Sequence, residues 1–347
     1  MPRPTQSVVC GGALYNNMVR RRHMNIGIIG CGGIAEKMAA TINQMEEVTL
    51  YAVAARDAGR AGAFAERYGA ERSYGSYEEL VSNKEVDLVY IATPHSHHYE
   101  HMKLCIEHGK NVLCEKAFTM NGEQARDIKR LANEAHVYVA EAIWTRYMPS
   151  RNIINEVLAS GIVGNICTVT CNLSYDIDRN ERIVDPKLCG GALLDVGVYG
   201  LNFIVMHMGK DIDKIESSVM LTDTGVDGQE SITIRFKNGT MAVTTHSIYG
   251  RSDRKGIFYG ERGYIIVENI NNPQSVDVYD SADKLLKHID VPEQISGYEY
   301  QLRTAKNCIE NGLVENDLMS LDETIYMMDM MDGLRKSWGL VYPMETL

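Results

Sequence analysis

The stretch MNIGIIGCGGIA, residues 24–35, decides the fold of this 347-residue chain. An apolar run ends at Gly30 and a helical pattern begins shortly after it, so a buried strand turns directly into a helix. Gly30, Gly32 and Ala35 have the spacing G-x-G-x-x-A. In such a turn the first glycine allows the tight bend, the second lets the backbone approach a pyrophosphate, and the alanine lets helix and strand pack closely. The pattern predicts a dinucleotide-binding turn.

Phosphates would lie at the N-terminus of the helix, where free backbone amides and the positive end of the helix dipole attract anions. Gly33 and Ile34 complete the turn and are predicted to bind the cofactor together with Gly30, Gly32 and Ala35. The position between a strand and a helix favours this interpretation over a turn without a ligand.

Beyond the turn, strand and helix patterns alternate in the manner of a doubly wound parallel sheet. The further strand patterns are LYAVAAR (50–56), VDLVYIAT (86–93), NVLCEK (111–116) and VYVAEAI (137–143). Helical patterns separate them, without a long loop. We therefore predict an α/β fold whose N-terminal part, residues 24–145, is a Rossmann domain.

The second half of the chain has a different pattern. PSRNIINEVLASG (149–161) starts with proline and ends with glycine, as an independent helix does. Further on, SITIRF (231–236) and TMAVTTHS (240–247) alternate apolar and polar residues around the hairpin signal KNG. This predicts a C-terminal α+β domain over residues 146–347 with a large, mostly antiparallel sheet. The helices predicted to cover one face of that sheet lie near 191–208, 298–311 and 321–337.

Residues 1–23 lack the layout of a signal peptide, because their arginines follow the apolar patch. We interpret them as a disordered leader, with Met24 as a candidate start. Eight cysteines without a CxxC pair favour reduced thiols and a cytoplasmic protein. The sequence contains no uninterrupted run of about 18 apolar residues, so it does not predict a membrane span. The formal net charge of -11 argues against a nucleic-acid partner.

The end of the second strand pattern bears on the choice of cofactor. NAD enzymes usually place an acidic residue there to hold the ribose 2'-hydroxyl, but this chain has Arg56 before Asp57. A guanidinium pairs with a 2'-phosphate and stacks on adenine, so NADP(H) is favoured. Asp57 keeps NAD(H) possible, and Arg56 as a solvated surface charge is the third interpretation.

Two further motifs make the chain resemble the family of glucose-fructose oxidoreductase, inositol dehydrogenase and MocA-like proteins. They are TPHSHH (93–98) and CEKA (114–117), and the resemblance extends from Met24 to Pro343. The chain departs from the family at Ala117, where proline is usual, and at His95, where asparagine is common. The residues that the resemblance assigns to the cofactor crevice are Thr93, Pro94, His95, His98 and Glu115, with His98 near the nicotinamide.

EAIWTRYMPS (141–150) and GGALLDVGVYG (190–200) are most similar to the branch of dimeric dihydrodiol dehydrogenases and NADP-dependent xylose dehydrogenases. Sugar-oxidising members of the family often have Asp followed four residues later by His, whereas this chain has Asp195 and Tyr199. The resemblance implies that Tyr199 holds the acid/base position beside Lys116 and that Trp144 forms a wall of the substrate pocket. It also implies a homodimer or larger homo-oligomer through the open face of the second sheet.

Lys116 comes at the carboxyl end of a strand of the doubly wound sheet, where ligands bind. Its ammonium can stabilise alkoxide-like charge on a substrate oxygen. Tyr199 is then the proton acceptor, with its pKa lowered by this cation. Asp195 lies one helical turn before Tyr199 and orients the lysine or the substrate. Lys116 as the base, with Tyr199 as a substrate clamp, is the competing assignment, and each residue alone also fits an ordinary structural role.

The implied reaction is hydride transfer between nicotinamide and a secondary alcohol carbon of a cyclic polyol, a sugar or a trans-dihydrodiol. Ala117 also raises a second hypothesis, an NADP-binding sensor or regulator without turnover. The substrate itself is not readable, because the pocket depends on loops 174–190 and 246–260. The first of these loops contains four charged residues that could contact substrate hydroxyls, but we favour the interpretation that they are solvated. They are Asp176, Asp178, Arg179 and Arg182.

A histidine cluster follows Pro94 and could suggest a metal site. His97 and His101 lie one helical turn apart, and His95, His98 and Glu100 are close in sequence. These residues do not place three ligands on one helix face with an open position, as catalytic zinc requires. We therefore predict no metal, with His97 and His101 solvated.

Overall fold

The protein is described here by a computed structural model that covers residues 23–346. The predicted disordered leader, residues 1–23, lies outside the described residues except for His23.

The first sheet has six parallel strands in the order β3-β2-β1-β4-β5-β6. The switch of direction beside β1 produces the crevice at the carboxyl ends of the strands where ligands bind in such sheets. The strands are β1 (Met24–Ile29), β2 (Val48–Ala54), β3 (Arg72–Tyr74), β4 (Leu88–Ile91), β5 (Asn111–Glu115) and β6 (Val139–Ala142). The helices between them are α1 (Gly33–Ile42), α2 (Ala58–Tyr68), α3 (Tyr77–Ser82), α4 (His95–Glu107) and α5 (Gly122–Ala135).

Local signals in the sequence explain these helices. Asp57 and Ser76 accept hydrogen bonds from backbone amides at the start of α2 and α3, and Gly69 ends α2 in the left-handed conformation. Ile28 and Ile29 lie on opposite faces of β1 and both are fully buried, as expected for a strand covered by helices on two faces. The short edge strand β3 was not predicted, because its three residues are largely exposed and carry no apolar run.

The second sheet has eight strands in the order β14-β13-β12-β11-β7-β10-β9-β8. β7 and β10 are parallel to each other, and all other pairs are antiparallel, which confirms the predicted mostly antiparallel sheet. The strands are β7 (Ile166–Ser174), β8 (Ile212–Leu221), β9 (Asp227–Phe236), β10 (Met241–Ser247), β11 (Gly256–Gly260), β12 (Gly263–Val267), β13 (Ser275–Asp280) and β14 (Leu285–Asp290).

One helical segment crosses the inner face of this sheet, and we call it the site helix. It begins with a π-helical turn, Leu193–Gly197, and continues as α8 (Val198–Met208), which packs against β7 and β10. The stretch Pro186–Met208 is long and apolar enough to cross a membrane by length and composition, but 89% of its most apolar window is buried in the protein. That burial is typical of a core helix.

The remaining helices are α6 (Pro149–Ala159), the short α7 (Glu181–Val184), α9 (Glu299–Glu310) and α10 (Leu321–Trp338). The sequence assigned the last two to the cover of the second sheet. α9 does not pack extensively on that sheet, and its Arg303 pairs with Glu47, just before β2 of the first sheet. For α10 the prediction is only partly right. α10 contacts β8, but it packs most extensively against α5 of the first domain. Polar groups explain this contact, because Asp332 accepts a hydrogen bond from the amide of Gly122, at the start of α5, at 2.7 Å.

Candidate active site

A cleft of about 860 Å³ lies between the carboxyl edge of the first sheet and the site helix. The turn Gly30–Ile34 lines one end of it, and Lys116, Asp195 and Tyr199 line the other. Residues from both halves of the chain therefore face one cavity, as the sequence predicted.

The glycine turn has the shape that a phosphate group needs. Gly30 has a φ of 97°, and a Cβ atom there would lie 2.9 Å from the carbonyl oxygen of Ala92, so only glycine fits. A Cβ atom on Gly32 or Gly33 would meet nothing within 4 Å, which leaves open space above the turn. α1 starts at Gly33 without a side-chain cap, so its first amides are available for an anion. These features fit a dinucleotide pyrophosphate.

A second part of the cleft lies beside this turn and carries two arginines. We call it the arginine end, and it consists of Arg56, Asp57 and Arg60. All three residues line the cleft and are exposed. Asp57 Oδ1 accepts a hydrogen bond from the amide of Arg60 at 2.7 Å, and Arg60 Nη2 donates to the carbonyl oxygen of Cys31 at 2.8 Å. The carboxylate of Asp57 thus serves as a helix cap, while a second guanidinium, which the sequence analysis missed, reaches the glycine turn.

The opposite part of the cleft, Lys116, Asp195 and Tyr199, we call the lysine end. Lys116 follows β5 by one residue, and its Nζ atom donates to the backbone oxygen of Asp195 at 2.7 Å. The same atom lies 3.7 Å from Asp195 Oδ1 and 5.0 Å from the centre of the Tyr199 ring. The peptide bond from Lys116 to Ala117 is cis. The predicted trio is therefore assembled across the two domains.

Asp195 lies between two cations. Its Oδ1 atom accepts a hydrogen bond from Arg182 Nη2 at 2.9 Å in addition to the contact with Lys116. Burial alone would raise the pKa of Asp195, but Lys116 and Arg182 outweigh burial and hold this pKa below its usual value. The expectation that Arg182 is a solvated loop charge was wrong, because the loop 174–190 folds over the cleft and brings Arg182 to Asp195.

Tyr199 differs from the prediction in its acidity. Burial raises the pKa of Tyr199 well above its usual value, and Tyr298 and Glu115 raise this pKa further. From the sequence we expected Lys116 to lower the pKa of Tyr199. That expectation was wrong for this structure, because the ammonium lies over the face of the ring and donates its hydrogen bond to Asp195.

Trp144 stands behind the lysine end. Its ring stacks on Tyr298 with centroids 4.3 Å apart and planes 3° from parallel. Tyr298 lines the cleft, whereas Trp144 lines an adjoining cavity of about 400 Å³. The indole N–H is buried without an aligned hydrogen-bond partner among the described residues, and it lies close enough to the Tyr199 hydroxyl to lower that group's pKa against burial.

The residues that the family resemblance assigned to the crevice are only partly found there. Thr93, Pro94, His95 and Glu115 line the cleft. His98 does not: it is fully buried, with Nδ1 2.9 Å from the carbonyl oxygen of Ala117 and Nε2 2.7 Å from that of Thr93. Its two hydrogen bonds link the segment after β4, which contains Thr93, to the segment after β5, which contains Ala117.

Two charged or titratable residues beside Lys116 are held by neighbours. Glu115 accepts a short hydrogen bond from the Tyr90 hydroxyl, and burial raises the pKa of this carboxyl. His95 Nδ1 lies 3.0 Å from the carbonyl oxygen of Cys189, and burial lowers the pKa of this imidazole.

The remaining histidines of the cluster are less solvated than predicted. His97 and His101 are partly buried: His97 Nδ1 lies 2.8 Å from Ser96 Oγ, and His101 Nδ1 lies 3.0 Å from Thr93 Oγ1. Burial lowers the pKa of His101 to about 4. Within residues 23–346 no group of three or more His, Cys, Asp or Glu residues is arranged to hold a metal ion.

Several lining residues were not singled out from the sequence. They come from the loop between β7 and α7, from the segments that precede β13 and α9, and from α1. Only the first of these segments was expected to shape the pocket, so the residues outside it had no signal in the sequence. These residues are Lys37, Tyr175, Ile177, Asn180, Asn271 and Tyr298.

Comparison with known families agrees with this architecture. The family model for GFO/IDH/MocA oxidoreductases with an NAD-binding Rossmann fold matches residues 24–142, and the GFO/IDH/MocA C-terminal domain matches residues 153–266. The chain belongs to the GFO/IDH/MocA oxidoreductase family. The family expected from the motifs at 30–35, 93–98 and 114–117 is thereby confirmed.

Relatives cover nearly the whole chain. A trans-1,2-dihydrobenzene-1,2-diol dehydrogenase of Danio rerio is 31% identical over 332 residues, 92% of this chain and 98% of its own. The protein of the same name from Xenopus tropicalis is 29% identical over 325 residues, 91% of this chain and 98% of its own.

Solved structures share the fold at lower identity. KijD10, a 3-ketoreductase from Actinomadura kijaniata in complex with NADP and TDP-benzene, has a TM-score of 0.84 at 21% identity and covers 91% of this chain and 98% of its own. Levoglucosan dehydrogenase in complex with NADH and levoglucosan has a TM-score of 0.80 at 17% identity, with coverages of 91% and 97%. At these identities the likeness concerns the fold.

Proposed function

We propose that this protein is an NADP-dependent oxidoreductase that transfers a hydride between nicotinamide and a secondary alcohol carbon of a cyclic polyol, a sugar or a trans-dihydrodiol. One observation carries the proposal. Lys116 of the first domain contacts Asp195 and lies over the ring of Tyr199, both from the second domain, at one end of a cleft. The other end of this cleft is a glycine turn with space for a phosphate group. The relatives named dihydrodiol dehydrogenase support the substrate class.

The preference for NADP(H) rests on the arginine end. Arg56 and Arg60 both face the cleft, and two guanidinium groups suit a 2'-phosphate. Asp57, the residue that would favour NAD(H), already accepts the amide of Arg60 as a helix cap. Fold neighbours hold NADP in one case and NADH in another, so the arginines and not the fold support this choice.

When bound, NADPH would supply the hydride for reduction and NADP⁺ would accept it in oxidation, while the protein would position the substrate oxygen and its proton. The Lys116 ammonium, held by Asp195, acts as a fixed donor toward negative charge that develops on this oxygen. Its contacts, a carbonyl oxygen and a carboxylate, suit a positioned donor better than a proton acceptor, and so favour Tyr199 as the acid/base group.

The raised pKa of Tyr199 bears on the direction of the reaction. At neutral pH the hydroxyl is protonated and ready to give a proton to the oxygen of a ketone that is being reduced. Oxidation of the alcohol needs the phenolate, which forms only as the pH rises toward this pKa. We therefore expect reduction of a ketone at neutral pH, and oxidation of the alcohol that becomes faster as the pH rises.

The substrate half of the cleft combines ring faces and polar groups. Tyr175 and Tyr298 provide aromatic surface, while Asn180, Arg182 and Asn271 provide amide and guanidinium groups at the same cavity. Few polar groups among apolar walls are typical of small-molecule pockets. A ring that carries hydroxyl groups fits this lining.

A homodimer through the open face of the second sheet is part of the proposal. Met241 and Tyr259 flank Thr168 on this face, and Tyr264 and Tyr279 extend the row, as the strand register shows. Met241 is 43% exposed and Tyr259 39%, which is unusual for large apolar groups placed side by side. Light scattering at micromolar concentration checks this: a dimer is expected, and a monomer contradicts it.

The test of the function is a screen at 340 nm with NADP and a panel of aldoses, inositols and trans-dihydrodiols, at neutral and alkaline pH. Turnover of at least one cyclic polyol is expected, and it should be abolished by Lys116→Met. NADP binding without turnover of any member, in either direction, would instead favour an NADP-binding sensor.

A further inference from the structure

The inner face of the second sheet is apolar except where the site helix crosses it. Ile232, Ile234 and Phe236 of β9 and Ala242 of β10 are buried on this face. At its end the same alternation places three buried polar residues, Glu230, Thr244 and His246, which we call the polar seam. Neither the proposed chemistry nor the cofactor site uses them.

The polar seam is a connected set of hydrogen bonds. His246 lies opposite Glu230 in the strand register, with Nδ1 3.0 Å from Glu230 Oε1. Nε2 of His246 lies 2.8 Å from Thr244 Oγ1, which also accepts from the thiol of Cys171 at 3.2 Å. Both nitrogens of the imidazole are therefore fixed, so the ring has one orientation.

Burial favours the uncharged forms of Glu230 and His246. It raises the pKa of Glu230 well above its usual value and lowers the pKa of His246 to about 3. Glu230 Oε2 has no hydrogen-bond partner among the described residues. A buried polar group without a partner is destabilising compared with an apolar side chain, so stability alone does not account for the seam.

The backbone of the site helix rests directly on the seam. A Cβ atom on Gly197 would lie 2.7 Å from Glu230 Oε1, and one on Gly200 would lie 2.2 Å from His246 Nε2 and 2.4 Å from Thr244 Oγ1. Asp195 and Tyr199, by contrast, line the cleft. The glycines thus face the sheet while the two functional residues face the cleft.

We infer that Glu230, Thr244 and His246 are positioning residues that set the height and rotation of the site helix, so that Asp195 reaches Lys116 and Tyr199 faces the cleft. This inference rests on the proposed function for its catalytic consequence. Directional bonds at both imidazole nitrogens fix one contact surface, whereas an apolar cluster would allow the helix to settle in several positions. The two glycines let the backbone follow that surface closely.

The first test replaces Gly200 by alanine, since the methyl group has no room above His246 and Thr244. The helix should move away from the sheet, and a crystal structure of Gly200→Ala should show the 2.7 Å contact between Lys116 Nζ and the Asp195 oxygen broken. Turnover of trans-1,2-dihydrobenzene-1,2-diol or D-xylose, whichever the wild type oxidises faster, should fall about 100-fold. NADP affinity, measured by fluorescence titration, should stay at the wild-type value.

Gly333→Ala is the matched control, because a Cβ atom there meets nothing within 4 Å on α10. It should keep both the contact and the turnover. An unchanged Lys116–Asp195 contact with unchanged turnover in Gly200→Ala overturns the inference. If the wild type turns over no member of the polyol panel, the proposed function fails, while the crystallographic distance still decides whether the seam positions the helix.

A second pair of variants serves if Gly200→Ala does not fold. Thr244→Val keeps the shape and removes the hydroxyl that His246 and Cys171 share, and turnover per NADP-binding site should fall about tenfold. Thr244→Ser keeps the hydroxyl and should restore it. Equal turnover per site in Thr244→Val and wild type, with only a lower melting temperature, would mean that the seam is merely structural.

Discussion

The two ends of the cleft differ in how their charges are held. At the lysine end, the side chains of Lys116 and Asp195 are 14% and 12% exposed and interact across the two domains. At the arginine end, Arg56 and Arg60 are exposed, and all the residues come from one domain. Removal of one partner leaves a buried charge unpaired, which costs much free energy, whereas interactions between exposed charges are weakened by water and salt. The lysine end should therefore control the rate, and the arginine end the choice of cofactor.

The largest effect is expected from Lys116→Met. It removes the donor to the reacting oxygen and leaves Asp195 with Arg182 alone, so kcat should fall about 1000-fold. NADP affinity by fluorescence titration should change little, since the glycine turn and both arginines remain. Lys103→Met is the control: its ammonium also lies 5.0 Å above a tyrosine ring, that of Tyr99, but on α4 outside the cleft. Equal losses in both variants would remove the distinction between the two ends.

Tyr199→Phe should lower kcat about 100-fold by removing the proton donor and acceptor. In the wild type, kcat for oxidation should rise with pH up to and beyond pH 10, because the raised pKa keeps Tyr199 protonated below it. Reduction should be nearly independent of pH between 6 and 8, and both profiles should flatten in Tyr199→Phe. Near-normal kcat in Tyr199→Phe together with an inactive Lys116→Met would assign the base to Lys116.

At the arginine end, Arg56→Ala should lower the ratio of kcat/KM for NADP over NAD about tenfold, with kcat nearly constant. The effect should shrink at high salt, because Arg56 is exposed. Arg67→Ala provides a matched control. Arg67 lies at the C-terminal end of α2, where it pairs with Glu36 of α1. The NADP preference is contradicted if the ratio is the same in Arg56→Ala and wild type.

The smallest effect concerns stability. Asp57→Ala removes the cap of α2 and should lower the free energy of unfolding by about 1 kcal/mol, as measured by urea denaturation. If its carboxylate serves only as a cap, kcat/KM for NAD should stay unchanged. A specific loss of NAD activity would show instead that Asp57 holds the ribose.

The sequence predicted the parts of the molecule that depend on local pattern. Gly30 to Ala35 were recognisable because a strand, a turn and a helix follow one another directly, and the parallel sheet was predicted from the alternation of strand and helix patterns. Lys116 was recognisable from its place just after a buried strand. The motif of Asp195 and Tyr199 was carried by the family resemblance.

The misses depend on contacts that no local pattern encodes. The pKa of Tyr199 depends on whether Lys116 lies beside the hydroxyl or over the ring, and Arg182 was brought to Asp195 by a loop of unknown conformation. Arg60 was missed and His98 was misjudged, because their partners are backbone oxygens of Cys31, Thr93 and Ala117. The polar seam had a signal, since Glu230, Thr244 and His246 occupy the buried positions of the strand alternation, but the site helix above it was needed to show their contact.

The most direct measurement is a crystal structure of the protein with bound NADP. The account predicts pyrophosphate at the amides of Gly32 and Gly33, the 2'-phosphate between Arg56 and Arg60, and the Lys116 nitrogen beside the hydride-carrying carbon of the nicotinamide, still in contact with Asp195. A nicotinamide ring placed away from Lys116, or a Lys116 nitrogen turned into bulk water, would contradict the account.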